Sequence, residues 1–204
     1  MASARYRQLS RRIDKLRKHL LPPLSSTGDY SEVELDRVRG YRLLVHAEIE
    51  AYLEDRARAI ANESVKRWVA DGKPKPVILG LLSFHLKQDR VTHQDLKEEY
   101  TGSKARVADA IHSANQSYNQ VLSQNNGVRE DSVLKILLPI GVRPSDLDQT
   151  WLNTIDSFGM ARGEIAHTSI KTQQPLDPLS EKKTVEQILG GLKNIDEVLG
   201  KIKL

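Results

Sequence analysis

Apolar residues recur along this chain at spacings of three and four, with polar residues filling the intervals. Tyr6, Leu9, Ile13, Leu16 and Leu20 set the rhythm first, which predicts an amphipathic helix over about 1–20. Pro22, Pro23 and the stretch Ser25 to Gly28 break it and predict a loop. Ser31 with Glu34 three residues on is the signature of a capping box, in which hydroxyl and carboxylate satisfy the first helical amides reciprocally. The helix it opens keeps its spacing through Leu43, Ala47, Ile49, Leu53 and Ala57, and should end near Gly72, before Pro74 and Pro76. Val77, Ile78, Leu81 and Leu82 predict a short apolar helix over about 76–88. Another helix is expected from about Ser103 to a stop at Asn125-Asn126-Gly127. A short one follows over about 130–139, around Val133, Ile136 and Leu137. Pro144-Ser145, with Asp148 three on, predicts the start of a helix that runs to about Thr168. A polar linker with Pro175 and Pro178 then leads to a last helix, roughly 180–203. Strand alternation and internal repeats are absent from the pattern. The expected fold class is therefore all-α: one helical domain over 1–204, with about four main helices and additional short ones. Residues 1–21 form its basic amphipathic helix, and 170–204 its closing linker and helix.

Composition adds limits. With 39% hydrophobic and 28% charged residues, the chain can bury an ordinary core and is not of the disordered class. No apolar run approaches the roughly 18 residues that would cross a bilayer. There is no cysteine, which excludes disulfides and thiol catalysis and suits a cytoplasmic location. The net charge of +4 is unevenly spread. Arg5, Arg7, Arg11, Arg12, Lys15, Arg17 and Lys18 stand against the single Asp14 in the first helix, so the remainder is slightly acidic. A basic segment on a balanced protein is the footprint of a polyanion partner, and Arg11, Arg12, Lys15 and Lys18 are the candidate RNA contacts. The competing reading is a solvated helix face, which the apolar stripe on the same helix permits.

Candidate chemistry concentrates in residues 156–169. The stripe Trp151, Ile155, Phe158 extends by the same spacing onto Arg162 and then Ile165. A guanidinium in register with core residues demands something anionic opposite: a carboxylate, a partner chain or a phosphate. Arg suits phosphate because its planar fork stays charged and grips two oxygens. His167 lies five residues on, about 140° around an ideal helix and about 7.5 Å along it. Gly159 and Gly163 each weaken the helix by about 1 kcal/mol relative to Ala, and both would admit a close neighbour. Arg-to-His strings recur by chance, as Arg12/His19, Arg39/His46 and Arg106/His112 illustrate.

The surroundings of Arg162 and His167 are more specific. NNGVREDSVLKILLPIGV (125–142), Leu147-Asp148, Trp151-Leu152, Ile155 to Gly159 and RGEIAHTS (162–169) together closely resemble HEPN domains, above all the RiboL-PSP-HEPN branch. HAEIEAYLED (46–55) resembles that family's early acidic helix. Many HEPN domains carry a polar residue after the arginine, where this chain has Gly163. The resemblance implies a HEPN-like bundle that forms a homodimer, with two Arg-His motifs meeting at the interface. In active members it also implies metal-independent cleavage of RNA.

The expected function is then an endoribonuclease, a toxin or antiviral-defence effector, with Arg162 and His167 catalytic. Its partners would be RNA, a second copy and an inhibitory antitoxin or defence-system protein, with no cofactor, metal or membrane. Asp156, Glu164 and Glu50 are candidate supporting residues, with Glu48 and Tyr52 as alternatives to Glu50. His46 and Glu50, one helical turn apart, lack an evident third ligand and read better as a structural or solvated pair than as a metal site. His85 reads as a core or boundary residue. Two other classes stay open: a HEPN domain that binds RNA or nucleotide without cutting, and a dimeric helical regulatory protein. In these, Arg162 pairs with Asp156, Glu164 or a distant carboxylate, and His167 closes a helix.

Overall fold

The capping box at Ser31 forms as its spacing requires. Glu34 accepts from the Ser31 amide (2.8 Å) and hydroxyl (2.7 Å), while the Ser31 hydroxyl accepts from the Glu34 amide (3.3 Å). The computed structural model describes residues 2–88, 103–167 and 176–203, and their side chains except at 86–88, 103–106 and 164–167. Among these residues there are seven α-helices and no strand: α1 (Ala4–Leu20), α2 (Glu32–Asp71), α3 (Pro76–Gln88), α4 (Ser103–Ser123), α5 (Glu130–Leu137), α6 (Gln149–His167) and α7 (Pro178–Leu199). The fold class is all-α, as the periodicity predicts. No described helix is long and apolar enough to cross a membrane.

Three boundaries depart from the pattern, each for a local reason. Pro144 to Asp146 form a 3₁₀ turn, and α6 begins only at Gln149. Asp148 is the cap: its carboxylate accepts from the Trp151 amide at 2.7 Å, so it opens the helix in place of the Pro144-Ser145 pair. Asp177 caps α7 by accepting from Ser180, which makes Pro178 the first helical residue, where its missing N–H costs nothing. After α5 the chain tightens to 3₁₀ over Leu138–Ile140, since Pro139 lacks an amide, and Gly141 closes the turn at φ +94°.

The chain divides into two compact units. The first comprises 1–53, 126–133 and 145–200. Its core draws Leu9, Ile13 and Leu16 from α1 and Trp151, Ile155 and Phe158 from α6. From α7, Val185, Ile188, Leu192, Ile195 and Leu199 are buried at alternating spacings of three and four, and α7 packs on both α1 and α6. A methyl at Gly191 would overlap the Trp151 indole, so glycine there sets the α6–α7 approach, and the indole N–H donates to the Ile188 carbonyl (3.1 Å). Two buried polar clusters fasten this unit. Asp196 accepts from the Ser3 amide (2.6 Å), the Ser3 hydroxyl (2.7 Å) and the Tyr52 hydroxyl (2.8 Å). Arg42 makes a buried bidentate pair with Glu181, Nε to carboxylate at 2.7 Å.

The second unit comprises 54–125, 134–144 and 201–204. There α3 packs on α4 and on the 3₁₀ turn at 138–140, and a methyl at Gly80 would overlap the Pro139 carbonyl. Tyr118 is fully buried, meets Phe84 edge-on at 6.2 Å and donates its hydroxyl to the Ile136 carbonyl.

Candidate functional site

The site is carried by α6. Trp151, Leu152, Ile155 and Phe158 are buried along one stripe, and Arg162 follows Phe158 by four residues in the same register, half-buried. Gly159 admits the backbone at 128–129: a Cβ there would sit 3.1 Å from Arg129 Cγ and 3.3 Å from its amide nitrogen. Gly163 differs, for a Cβ would meet no described atom within 4 Å, so no close neighbour explains that glycine.

No carboxylate among the described residues pairs with the Arg162 side chain. Asp156 is committed elsewhere, accepting from Arg129 Nε (3.2 Å) and from the Glu130 amide (3.1 Å) at the start of α5. The side chain of Glu164 lies outside the described residues. So does that of His167, whose backbone is the last residue of α6.

Against Phe158, one helical turn before Arg162, packs His46 of α2, which the sequence pattern reads as half of a structural pair. Its ring is 1% exposed and stacks on Phe158, centroids 6.2 Å apart at 24°. Its Nδ1 lies 3.8 Å from the Glu50 carboxylate, and its Nε2 has no hydrogen-bond partner among the described residues. Glu50 also accepts from the amide of Gly127, whose φ is +129° and where a Cβ would sit 3.8 Å from the His46 Nε2. Of the three α2 candidates, only Glu50 is placed beside this site. Glu48 pairs with Arg12 (2.9 Å), and Tyr52 donates to Asp196. No described group of three or more His, Cys, Asp or Glu residues is arranged to hold a metal.

Burial, and secondarily the charge of Arg162, push the His46 pKa down to about 4. The group titrates near 6.5 when unfolded, so between these values the unfolded chain binds the extra proton. Stability should be complete above about pH 6.5 and fall toward pH 4, by about 3 kcal/mol in full. The charged groups facing the imidazole are Glu50 on α2 and Arg162 on α6; Arg42, over the Phe158 ring at 5.4 Å, is neutralised by Glu181, and Arg129 by Asp156. Chemical denaturation of the native chain and His46→Leu across this range tests the assignment. The variant should lose most of the slope; parallel curves would assign it to other groups.

The basic residues of α1 separate into two sets. Arg5, Gln8, Arg11, Arg12 and Lys15 line one open cavity of about 470 Å³ together with Glu48. Lys18 is not among them: it pairs with Asp14 (2.6 Å), as does Arg17 (2.7 Å). The sequence pattern missed Arg5 and Gln8, although both lie at helical spacing from Arg12 and Lys15.

No curated protein and no solved structure gives a match to this chain. The RiboL-PSP-HEPN family profile matches residues 7–201, nearly the whole length. That span holds the capping box, α6 with Arg162 and His167, and all of α7. The chain belongs to the RiboL-PSP-HEPN family, a family of predicted ribonucleases.

Proposed function

We propose that this chain is a metal-independent endoribonuclease in which Arg162 and His167 act on the scissile phosphate. The observation that carries the reading is Arg162: a half-buried guanidinium on the core stripe of α6, with no described carboxylate to neutralise it. RNA brings its own nucleophile. The 2′-oxygen attacks phosphorus and the bond to the 5′-oxygen breaks, leaving a 2′,3′-cyclic phosphate and a 5′-hydroxyl. The protein must accept the 2′-hydroxyl proton, return a proton to the leaving oxygen and stabilise the negative phosphorane. A histidine titrating near neutrality serves the proton transfers, and the arginine fork serves the charge. One Arg-His pair does only part of this. Two pairs across a two-fold axis would supply a base, an acid and two cations, so the active species is a homodimer joined near Arg162. A toxin or defence effector held by an inhibitory partner is the role that fits a ribonuclease of this kind.

Incubation of the purified protein with total RNA in EDTA tests the reading. Cleavage to cyclic or 3′-phosphate ends is expected, with DNA inert; intact RNA would refute it. Light scattering should find a dimer at tens of micromolar, and a cleaving monomer would remove the two-pair site.

The cavity of α1 supplies the second contact. Its four cations face one carboxylate, already paired to Arg12, which suits a run of backbone phosphates. Charge reversal at Arg11, Arg12 and Lys15 should weaken RNA binding roughly equally for all sequences and flatten its dependence on salt. Reversal of Lys18, which Asp14 already neutralises, should do less. Unchanged affinity at low salt in the triple variant would limit α1 to packing.

A further inference from the structure

Two groups of opposite hydrogen-bonding character, neither with a described partner, lie next to Phe158 in the first unit: the His46 ring stacks on it and Arg162 follows it by one helical turn. One is the Arg162 guanidinium, which has only donors to offer. The other is Nε2 of His46, buried with the whole ring and lacking any partner among the described residues. An unsatisfied buried nitrogen is costly, and an apolar side chain of similar size would fill the place beside Phe158 without that cost. The Glu50 carboxylate lies on the Nδ1 side, 3.8 Å away, which favours the proton on Nδ1 and leaves a lone pair on Nε2. A lone pair repels phosphate oxygens and attracts an N–H. The ring is also too deeply buried to touch RNA itself.

We propose that His46 is a positioning residue for Arg162: its Nε2 accepts one guanidinium N–H and so aims the remaining edge of the fork at the RNA phosphate. The inference rests on the ribonuclease reading and adds to it a residue that acts through Arg162. In the structure the two side chains share no hydrogen bond; the proposed contact forms by rotation of the long arginine side chain when phosphate takes its outer donors. Glu50 then has a role as well. By accepting from the Gly127 amide it stays beside Nδ1, where its charge at 3.8 Å favours the tautomer that the arginine needs.

The experiment pairs His46→Leu with His46→Gln, reading melting temperature, kcat and KM at neutral pH. The leucine variant should melt at or above the native temperature while kcat falls about 10–100-fold, because a misaimed group costs rate even in an intact fold. The glutamine variant, whose carbonyl can accept in place of Nε2, should recover much of that loss. A leucine variant that melts far earlier yet keeps the native kcat would make His46 a structural residue. Equal losses in both variants would refute the acceptor role. Nitrogen-15 spectra of the imidazole give a readout independent of cleavage, with 2′-O-methylated RNA as the uncleavable probe. The expected result is an Nδ1–H neutral tautomer whose Nε2 resonance moves when this RNA binds. Binding that leaves Nε2 unmoved overturns the inference and spares the ribonuclease reading. Binding that moves Nε2, with unmodified RNA left uncut, overturns the ribonuclease reading alone. No binding overturns both.

Discussion

His167→Ala should slow RNA cleavage by on the order of 10²–10⁴-fold, the usual worth of a positioned proton-transfer group, while RNA affinity largely survives. The fold should tolerate the change, since His167 is the last residue of α6. Arg162→Ala should differ in kind and impair both binding and rate, because the guanidinium holds the phosphate before reaction as well as in the transition state. Arg162→Lys should recover little, for a point charge does not reproduce a planar two-pronged donor. Melting temperature measured beside cleavage rate separates the outcomes. A His167→Ala protein that melts much earlier but cuts at the native rate would remove His167 from the chemistry. An Arg162→Lys protein with full activity would remove the argument from fork geometry.

The second large effect concerns stability. Glu181→Leu should cost about 3–5 kcal/mol, because it leaves the Arg42 guanidinium buried without its counter-charge. The damage should be largely reversed in the double variant Arg42→Met/Glu181→Leu. Apolar side chains of similar volume avoid the desolvation that the ion pair must offset, so the double protein should lie near native stability or above it. The position of Arg42 over the Phe158 ring contributes only a modest cation–π attraction to be lost with it. Urea denaturation of the two single variants and the double gives the coupling directly. Additive losses would mean that the pair is not the unit of stabilisation.

What was legible in the sequence was local. The Ser31–Glu34 box, the proline stops and the spacing along α1 depend on residues a few positions apart, and their physics is complete within a turn or two of helix. Asp148 against Pro144 was a contest between two local signals, and the carboxylate that reaches an amide won it. The register of Arg162 was legible for the same reason, since Phe158 stands four residues before it. His46 was not. Its pairing with Glu50 is visible at a spacing of four, but nothing in that spacing says that Gly127 and Phe158 enclose the ring. Likewise, Lys18 pairs with an aspartate four residues back, a signal local to the sequence, whereas Glu48 reaches Arg12 from 36 residues away.

The packing of Trp151 over Gly191 also makes the protein its own optical probe. The chain holds two tryptophans, and Trp68, the other, lies half-buried on α2. Substituting Trp68→Phe therefore leaves one indole, 6% exposed and hydrogen-bonded to the Ile188 carbonyl, as the sole long-wavelength emitter. Its emission should be blue-shifted and shielded from quenchers such as iodide. Arg162 stands about three turns further along the same helix, so any ligand that tilts α6 against α7 will change the light from Trp151.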